Sequence, residues 1–341
     1  MMKLNVLDQS PISEGSSPEE ALHHTVALAQ ALEKMGYSRF WVSEHHDTAH
    51  LAGSSPEVLI SYIAAKTSTI RVGSGGVMLP HYSAYKVAEN FRVLEGLAPG
   101  RIDLGIGRAP GGMPIATYAL NNGHPRNVHG YPEQIDDLLA YLHDALPDDH
   151  PYQGLKATPL VSSAPEIWIL GSSSGSARIA AEKGLAFTFA QFINETGGPE
   201  AIRDYRQHFQ PSKYLQKPHA MVAVFVICAE SEEETENMAK RMDLALLLSE
   251  RGMRTKGIPS LEAAINYAYT DFDRTRIRDN RQRMVVGTPD QVKATLLGMQ
   301  EAFAADELML VSLMPDLETK IRSYRLIANE MQLSFVEGDH E

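Results

Sequence analysis

A single cysteine, Cys228, stands in 341 residues, which excludes an internal disulfide and a cysteine-rich metal site. It lies in the apolar run VAVFVICAE, where a buried, inert thiol is expected rather than a nucleophile. Positive charge is also scarce: 31 Lys and Arg against 43 Asp and Glu give a formal net charge of -12, with no Lys/Arg cluster. Nucleic acid and anionic membrane are therefore disfavoured as partners, and any bound anion must be held locally. No stretch reaches the roughly 18 apolar residues of a membrane span, and MMKLNVLDQS has no apolar h-region. Neither a span nor a signal peptide is expected, and the cytoplasm is the expected location. The H-x-H pair on a first strand and the H-E-x-x-H helix that gather zinc are both missing, so no metal is expected. A nicotinamide fingerprint is missing too: GIGRAP (105–110) has Pro110 at its third glycine position, with no acidic residue at the required offset.

What is present is a large core and a repeating pattern. Hydrophobic residues make up 43% and charged residues 22%, ordinary for a soluble globular chain. Short runs rich in β-branched residues alternate with stretches of helical period. The strands predicted are 4–9, 39–46, 70–80, 101–107, 166–172, 185–192, 221–229 and 307–314. Helices are announced by Ser17-Pro18-Glu19-Glu20, Ser55-Pro56-Glu57, Ser231-Glu232-Glu233-Glu234 and Thr288-Pro289-Asp290-Gln291, all of them N-terminal capping patterns. Eight βα repeats favour a closed parallel (β/α)8 barrel over an open sheet. No linker composition interrupts the chain, so one domain over 1–341 is expected. Three irregular insertions, about 109–130, 148–165 and 251–285, are the expected home of the substrate pocket and any lid.

In such a barrel the site lies at the C-terminal ends of the strands. GSSSGSAR (171–178) ends one strand and opens a helix, so its free N–H groups and hydroxyls suit a phosphate, although a serine-rich N-cap looks the same. Arg108, ending the fourth strand, supplies a guanidinium for such an anion or for a surface salt bridge. GSGGVMLP (73–80) carries three glycines inside a strand, which points to a bulge, an unusual peptide geometry or a flat ligand against the backbone. SEHHDTAH (43–50) offers three histidines, but adjacent His45 and His46 face opposite ways on a strand and cannot both turn to the mouth. His45 is the candidate proton-transfer group; His46 and His50 are read as structural.

These segments together, SEHH, VGSGGVMLP with YKVAENFRVLE, GRIDLGIGR, ILGSSSGSARIAAEKG and VVGTPDQV, resemble the bacterial-luciferase-like family of flavin-dependent monooxygenases over essentially the whole chain. The resemblance implies a luciferase-like TIM barrel that binds flavin mononucleotide (FMN) and uses reduced FMN and O2 to oxidise a small organic substrate. By position His45 matches the catalytic histidine, and Gly75 and Gly76 the site of a non-prolyl cis peptide beneath the flavin ring. Arg108, Gly171, Ser172, Ser173 and Ser176 fall where the family grips the phosphate. Gly107 replaces luciferase's reactive cysteine and Ser172 a glutamate, which argues against light emission. With no nicotinamide fingerprint in the chain a separate flavin reductase is expected, and the helix at 55–68, apolar on more than one side and in the region through which relatives pair, is the expected seam of a homodimer. Tyr118, His124 and Asn127 are candidates to meet the substrate. A deazaflavin-dependent oxidoreductase or a non-catalytic flavin-binding protein of the same fold are the alternatives, with a metal-dependent barrel hydrolase more distant.

Overall fold

The structure is a computed structural model that describes residues 2–13, 15–253, 257–314 and 316–334. Residues 254–256 of the third insertion, and the outermost residues of the expected 1–341 domain, lie outside the described ones. Nine strands appear among the described residues: β1 Lys3–Asp8, β2 Arg39–Val42, β3 Arg71–Met78, β4 Ile102–Gly107, β5 Glu166–Gly171, β6 Ala186–Ala190, β7 Ala220–Cys228, β8 Met284–Gly287 and β9 Glu307–Val311. All pairings between them are parallel. Strands β1 to β7 follow in order, β9 bonds to both β7 and β1, and the eight-stranded barrel is closed.

Among the described residues twelve α-helices cover it: α1 Pro18–Lys34, α2 Pro56–Lys66, α3 Ala84–Leu97, α4 Pro114–Leu120, α5 Tyr131–Leu142, α6 Ser174–Lys183, α7 Gly198–His208, α8 Glu232–Glu250, α9 Leu261–Asn266, α10 Asp271–Arg281, α11 Pro289–Phe303 and α12 Leu317–Glu330. Their starts follow the sequence signals. Ser17 accepts from the Glu20 N–H while Glu20 accepts from the Ser17 N–H, and Ser231 accepts from the Glu234 N–H. Strand side chains alternate between two apolar layers. Leu4 and Val6, Leu308 and Leu310 pack outward against the helices; Leu7, Met309 and Val311 fill the barrel with Trp41, Trp168 and Met221.

Two insertions differ from the sequence reading. Among the described residues the stretch 251–285 is not irregular: it holds α9 and α10 and runs into β8, a strand beyond the eight expected. Strand β6 pairs with β7 only as far as Ala190↔Ala223, and β8 then takes its place along Phe225 to Cys228. The joint is held by Arg283, whose Nη1 donates to the carbonyls of Phe192 (3.2 Å) and Ile193 (3.0 Å), while its Nη2 reaches Glu250 and Asn280. The 148–165 insertion precedes β5, hence lies at the N-terminal end of the barrel, away from any C-terminal site. It is tied beneath α3 by Arg92 to the Ala157 carbonyl and by Ser163 to Glu95.

That N-terminal end is closed by charge. Arg39 of β2 donates through Nη1 to Asp103 of β4 (2.9 Å) and Glu166 of β5 (2.8 Å), and through Nε to Glu307 of β9 (3.0 Å). Trp41 Nε1 and Arg71 also donate to Asp103, and Asn5 and His219 bond Glu307. Burial pushes the Glu307 carboxyl up, but the bonds from His219, Arg39 and Asn5 with the Arg39 charge outweigh it and hold it at about 2. Removing the guanidinium leaves carboxylates buried without their counter-charge. Arg39→Met is expected to lose on the order of 3–5 kcal/mol, read from urea unfolding midpoints. Because the folded pKa of Glu307 is depressed, its stabilisation is present above its ordinary value of 4.5 and drains away as pH falls towards about 2. Glu307→Gln should flatten that part of the acid limb.

Candidate active site

A cavity of about 380 Å³ opens at the C-terminal ends of the strands. Its wall takes Leu7 from β1, Trp41 from β2, Gly75, Gly76 and Met78 from β3, Gly107 and Arg108 from β4, and Leu170 to Ser173 with Ser176 from β5 and α6. Thr188, Ala190, Phe192, Ile193, Ala223 and Met309 complete it. All seven residues that the family resemblance gives to the cofactor therefore share one wall.

The glycines serve the backbone more than the opening. A Cβ at Gly76 would meet Leu170 at 2.5 Å and the Gly105 carbonyl at 2.7 Å, and one at Gly75 would meet Leu7 at 2.7 Å. The β3–β4 register shifts between Gly75 and Val77, and the Gly75–Gly76 peptide is cis. At Gly171 a Cβ would overlap the Ser176 side chain, so glycine lets Ser176 tuck against the end of β5.

Among the described residues Arg108 is the sole ionisable side chain on the cavity wall. A methyl group at Gly175 would lie 3.3 Å from its Nη2, so the guanidinium stands beside the first turn of α6. No carboxylate pairs with it among the described residues, which removes the salt-bridge alternative. Ser173 is the N-cap of α6, yet its hydroxyl makes no capping bond. The N-terminal N–H groups, two free serine hydroxyls and an unpaired guanidinium thus converge: a donor set for an anion, with no acceptor charge opposing it. Thr188 Oγ1 is buried in the same wall without a hydrogen-bond partner.

His45 stands three residues beyond β2, off the cavity wall and half-buried. Its N–H donates to the Gly53 carbonyl at 2.8 Å, and its Nε2 lies 3.4 Å from Gln9 Nε2. An amide nitrogen only donates, so in this arrangement His45 Nε2 is the acceptor and carries a lone pair. Burial, with His50 and His46 adding to it against the pull of Glu44, brings His45 down to about 4, leaving a neutral imidazole. His46 is spent on structure: its Nε2 lies 2.8 Å from Glu44 Oε1. Glu44, which the sequence reading left without a role, is 1% exposed and also accepts from Tyr82 Oη (2.8 Å) and the Met78 N–H (3.0 Å). Its signal was an acid placed directly after the buried run of β2.

Tyr118, His124 and Asn127 do not reach the cavity. Tyr118 and His124 face solvent around α4, and Asn127 Oδ1 accepts from the Gly130 N–H at 3.0 Å, closing the turn before α5. Sequence reasoning missed the apolar half of the wall, Leu170, Ala190, Phe192 and Ile193, because these positions look like any strand end. Cys228 is buried, as expected, and burial with Asp290 and Glu330 pushes its thiol up to about 12. Among the described residues no three side chains gather into a metal site, and no helix is long and apolar enough to cross a membrane.

Comparison with known proteins gives this wall its context. The chain is 58% identical over 327 residues to uncharacterized protein YwcH of Bacillus subtilis (strain 168), covering 96% of this chain and 98% of that one. It is 39% identical over 332 residues to N-acetyl-S-alkylcysteine monooxygenase of the same organism, covering 96% and 98%. Among solved structures it is similar to apo-MsnO8, with a TM-score of 0.90, 36% identity, and coverage of 98% of this chain and 100% of that one. The family model described as luciferase-like monooxygenase matches residues 2–306, and the chain belongs to that family.

Proposed function

We propose that the chain, a single barrel domain, is an FMN-dependent monooxygenase in which reduced FMN and O2 oxidise a small organic substrate. The observation that carries this reading is the anion-shaped donor set of Arg108, Ser173, Ser176 and the α6 N-terminus, on the same wall as Gly75–Gly76. Arg108 and the serines would hold the phosphate, and Gly75, Gly76 and the apolar floor of Leu7, Trp41 and Met309 would take the ring. When bound, reduced flavin supplies the electrons that activate O2. The protein's share is to hold the flavin, keep water from an apolar cavity and move a proton. His45 is the proposed proton-transfer residue, and its neutral state makes it a base at neutral pH. With no nicotinamide fingerprint in the chain, the reduced flavin would come from a separate reductase.

Flavin titrations test the phosphate pocket. Charge-assisted hydrogen bonds of about 1.5–3 kcal/mol predict that Arg108→Ala weakens FMN binding roughly 10- to 150-fold and leaves riboflavin binding unchanged. Oxygen consumption with reduced FMN should depend on substrate; a deazaflavin identified by mass in the purified protein would sink the FMN assignment.

His45→Ala should bind FMN as wild type and lose roughly 10²- to 10⁴-fold in turnover. With a depressed pKa, the wild-type kcat/KM should hold from neutral pH through pH 5 and fall only as pH passes about 4. A break near 6.5, the ordinary histidine value, would remove His45 as the base.

A two-fold dimer through α2 and α3 is proposed as well, because Val58 and Tyr62 of α2 and Val93 and Leu97 of α3 are exposed apolar side chains on neighbouring helices. Light scattering should give twice the chain mass, and Val58→Asp with Leu97→Asp should give the monomer.

A further inference from the structure

Three consecutive backbone carbonyls follow Arg108, and each is held by a different part of the chain. The Ala109 oxygen accepts from Arg126 Nη1 at 2.6 Å, the Pro110 oxygen from His81 Nε2 at 2.8 Å, and the Gly111 oxygen from the His46 N–H at 2.7 Å. The donors come from the far end of the β4–α5 connection, from the 3-10 turn after β3 and from the loop after β2. Carbonyls on a connection over a barrel mouth can be satisfied by water; three successive protein donors instead immobilise three peptide planes. The contact is close enough to demand glycine: a Cβ at Gly112 would lie 2.5 Å from the His46 carbonyl.

His81 is the centre of this clamp. It is buried, with its ring edge-on to His46 and Tyr82. Its Nε2 must donate, since Pro110 offers only a carbonyl; its Nδ1 then accepts from Asn121 Nδ2 at 2.9 Å. A single neutral tautomer satisfies both partners and ties the start of the 109–121 segment to the C-terminal end of α4. The second anchor is itself held, because the His46 ring is fastened to buried Glu44.

We propose that His81, supported by Arg126 and His46, is a positioning residue for Arg108: by fixing the chain immediately after it, the clamp sets the guanidinium beside α6 and gives the protein its preference for a phosphorylated flavin. The inference rests on the reading that Arg108 meets the flavin phosphate, and the test separates the two. Affinities for FMN and riboflavin are measured on wild type, Arg108→Ala, His81→Ala and His81→Gln. Loss of one hydrogen bond of about 0.5–1.5 kcal/mol predicts that His81→Ala cuts the FMN-over-riboflavin preference by roughly 2- to 12-fold while riboflavin affinity stays constant. His81→Gln, whose amide offers a donor and an acceptor together, should restore most of the preference. If His81→Ala weakens both flavins alike, or neither, while Arg108→Ala abolishes the preference, the clamp is refuted and the phosphate reading stands. If Arg108→Ala keeps the preference, the phosphate reading fails and the clamp with it. Should His81→Ala not fold, Arg126→Ala at the rim decides: a reduced preference supports the clamp, a full one overturns it.

Discussion

One guanidinium joins the N-terminal end of the barrel. Arg39 bonds carboxylates from β4, β5 and β9 from its own place on β2, so four of the eight barrel strands meet at a single planar group. Two of those carboxylates, Asp103 and Glu307, are almost without exposure, and each is bonded by further donors. A buried charge cluster is tolerable only when satisfied on every side, and that demand fixes the relative height of the strands. With register determined below, the opposite ends can carry loops of any length, which is where the cavity lies.

The cavity uses charge in the opposite way. The chain carries an excess of twelve negative charges, yet the wall keeps its acids out and admits one cation. Arg108 is left unpaired beside the free end of α6, so its field is undiminished where an anion would sit. Glu44, the nearest buried acid in the sequence motif, is turned to internal use by Tyr82, His46 and the Met78 N–H. The acids and the cation are thus segregated by hydrogen bonding rather than by distance along the chain.

Much of this was legible in the sequence, for physical reasons that differ by element. The eight barrel strands are largely buried on both faces and read as apolar runs between capping signals, as KLNVLD before Ser17-Pro18 does. MVVG, the strand β8, was passed over, because four residues beside a polar stretch give no period to detect. The residues of the cavity wall stood out in the sequence because glycines, serines and an arginine cluster at the C-terminal ends of predicted strands. Tyr118, His124 and Asn127 failed as pocket residues because polar loop composition says nothing of direction; Asn127 is consumed by its own turn. The 148–165 insertion was assigned to the wrong end, although its position after a helix and before a strand already implied the N-terminal side.

Arg283 ties two otherwise separate pieces of machinery to one pin. Its guanidinium is shared between the carbonyls of Phe192 and Ile193, which form cavity wall, and Glu250 and Asn280, which end α8 and lie in α10. The barrel wall at β7 is consequently a spliced stave, β6 below and β8 above, and the splice is where the α9–α10 insertion rejoins the barrel. One rigid planar group therefore serves both the apolar side of the pocket and the outer helices, so the two share a single set of hydrogen-bond donors.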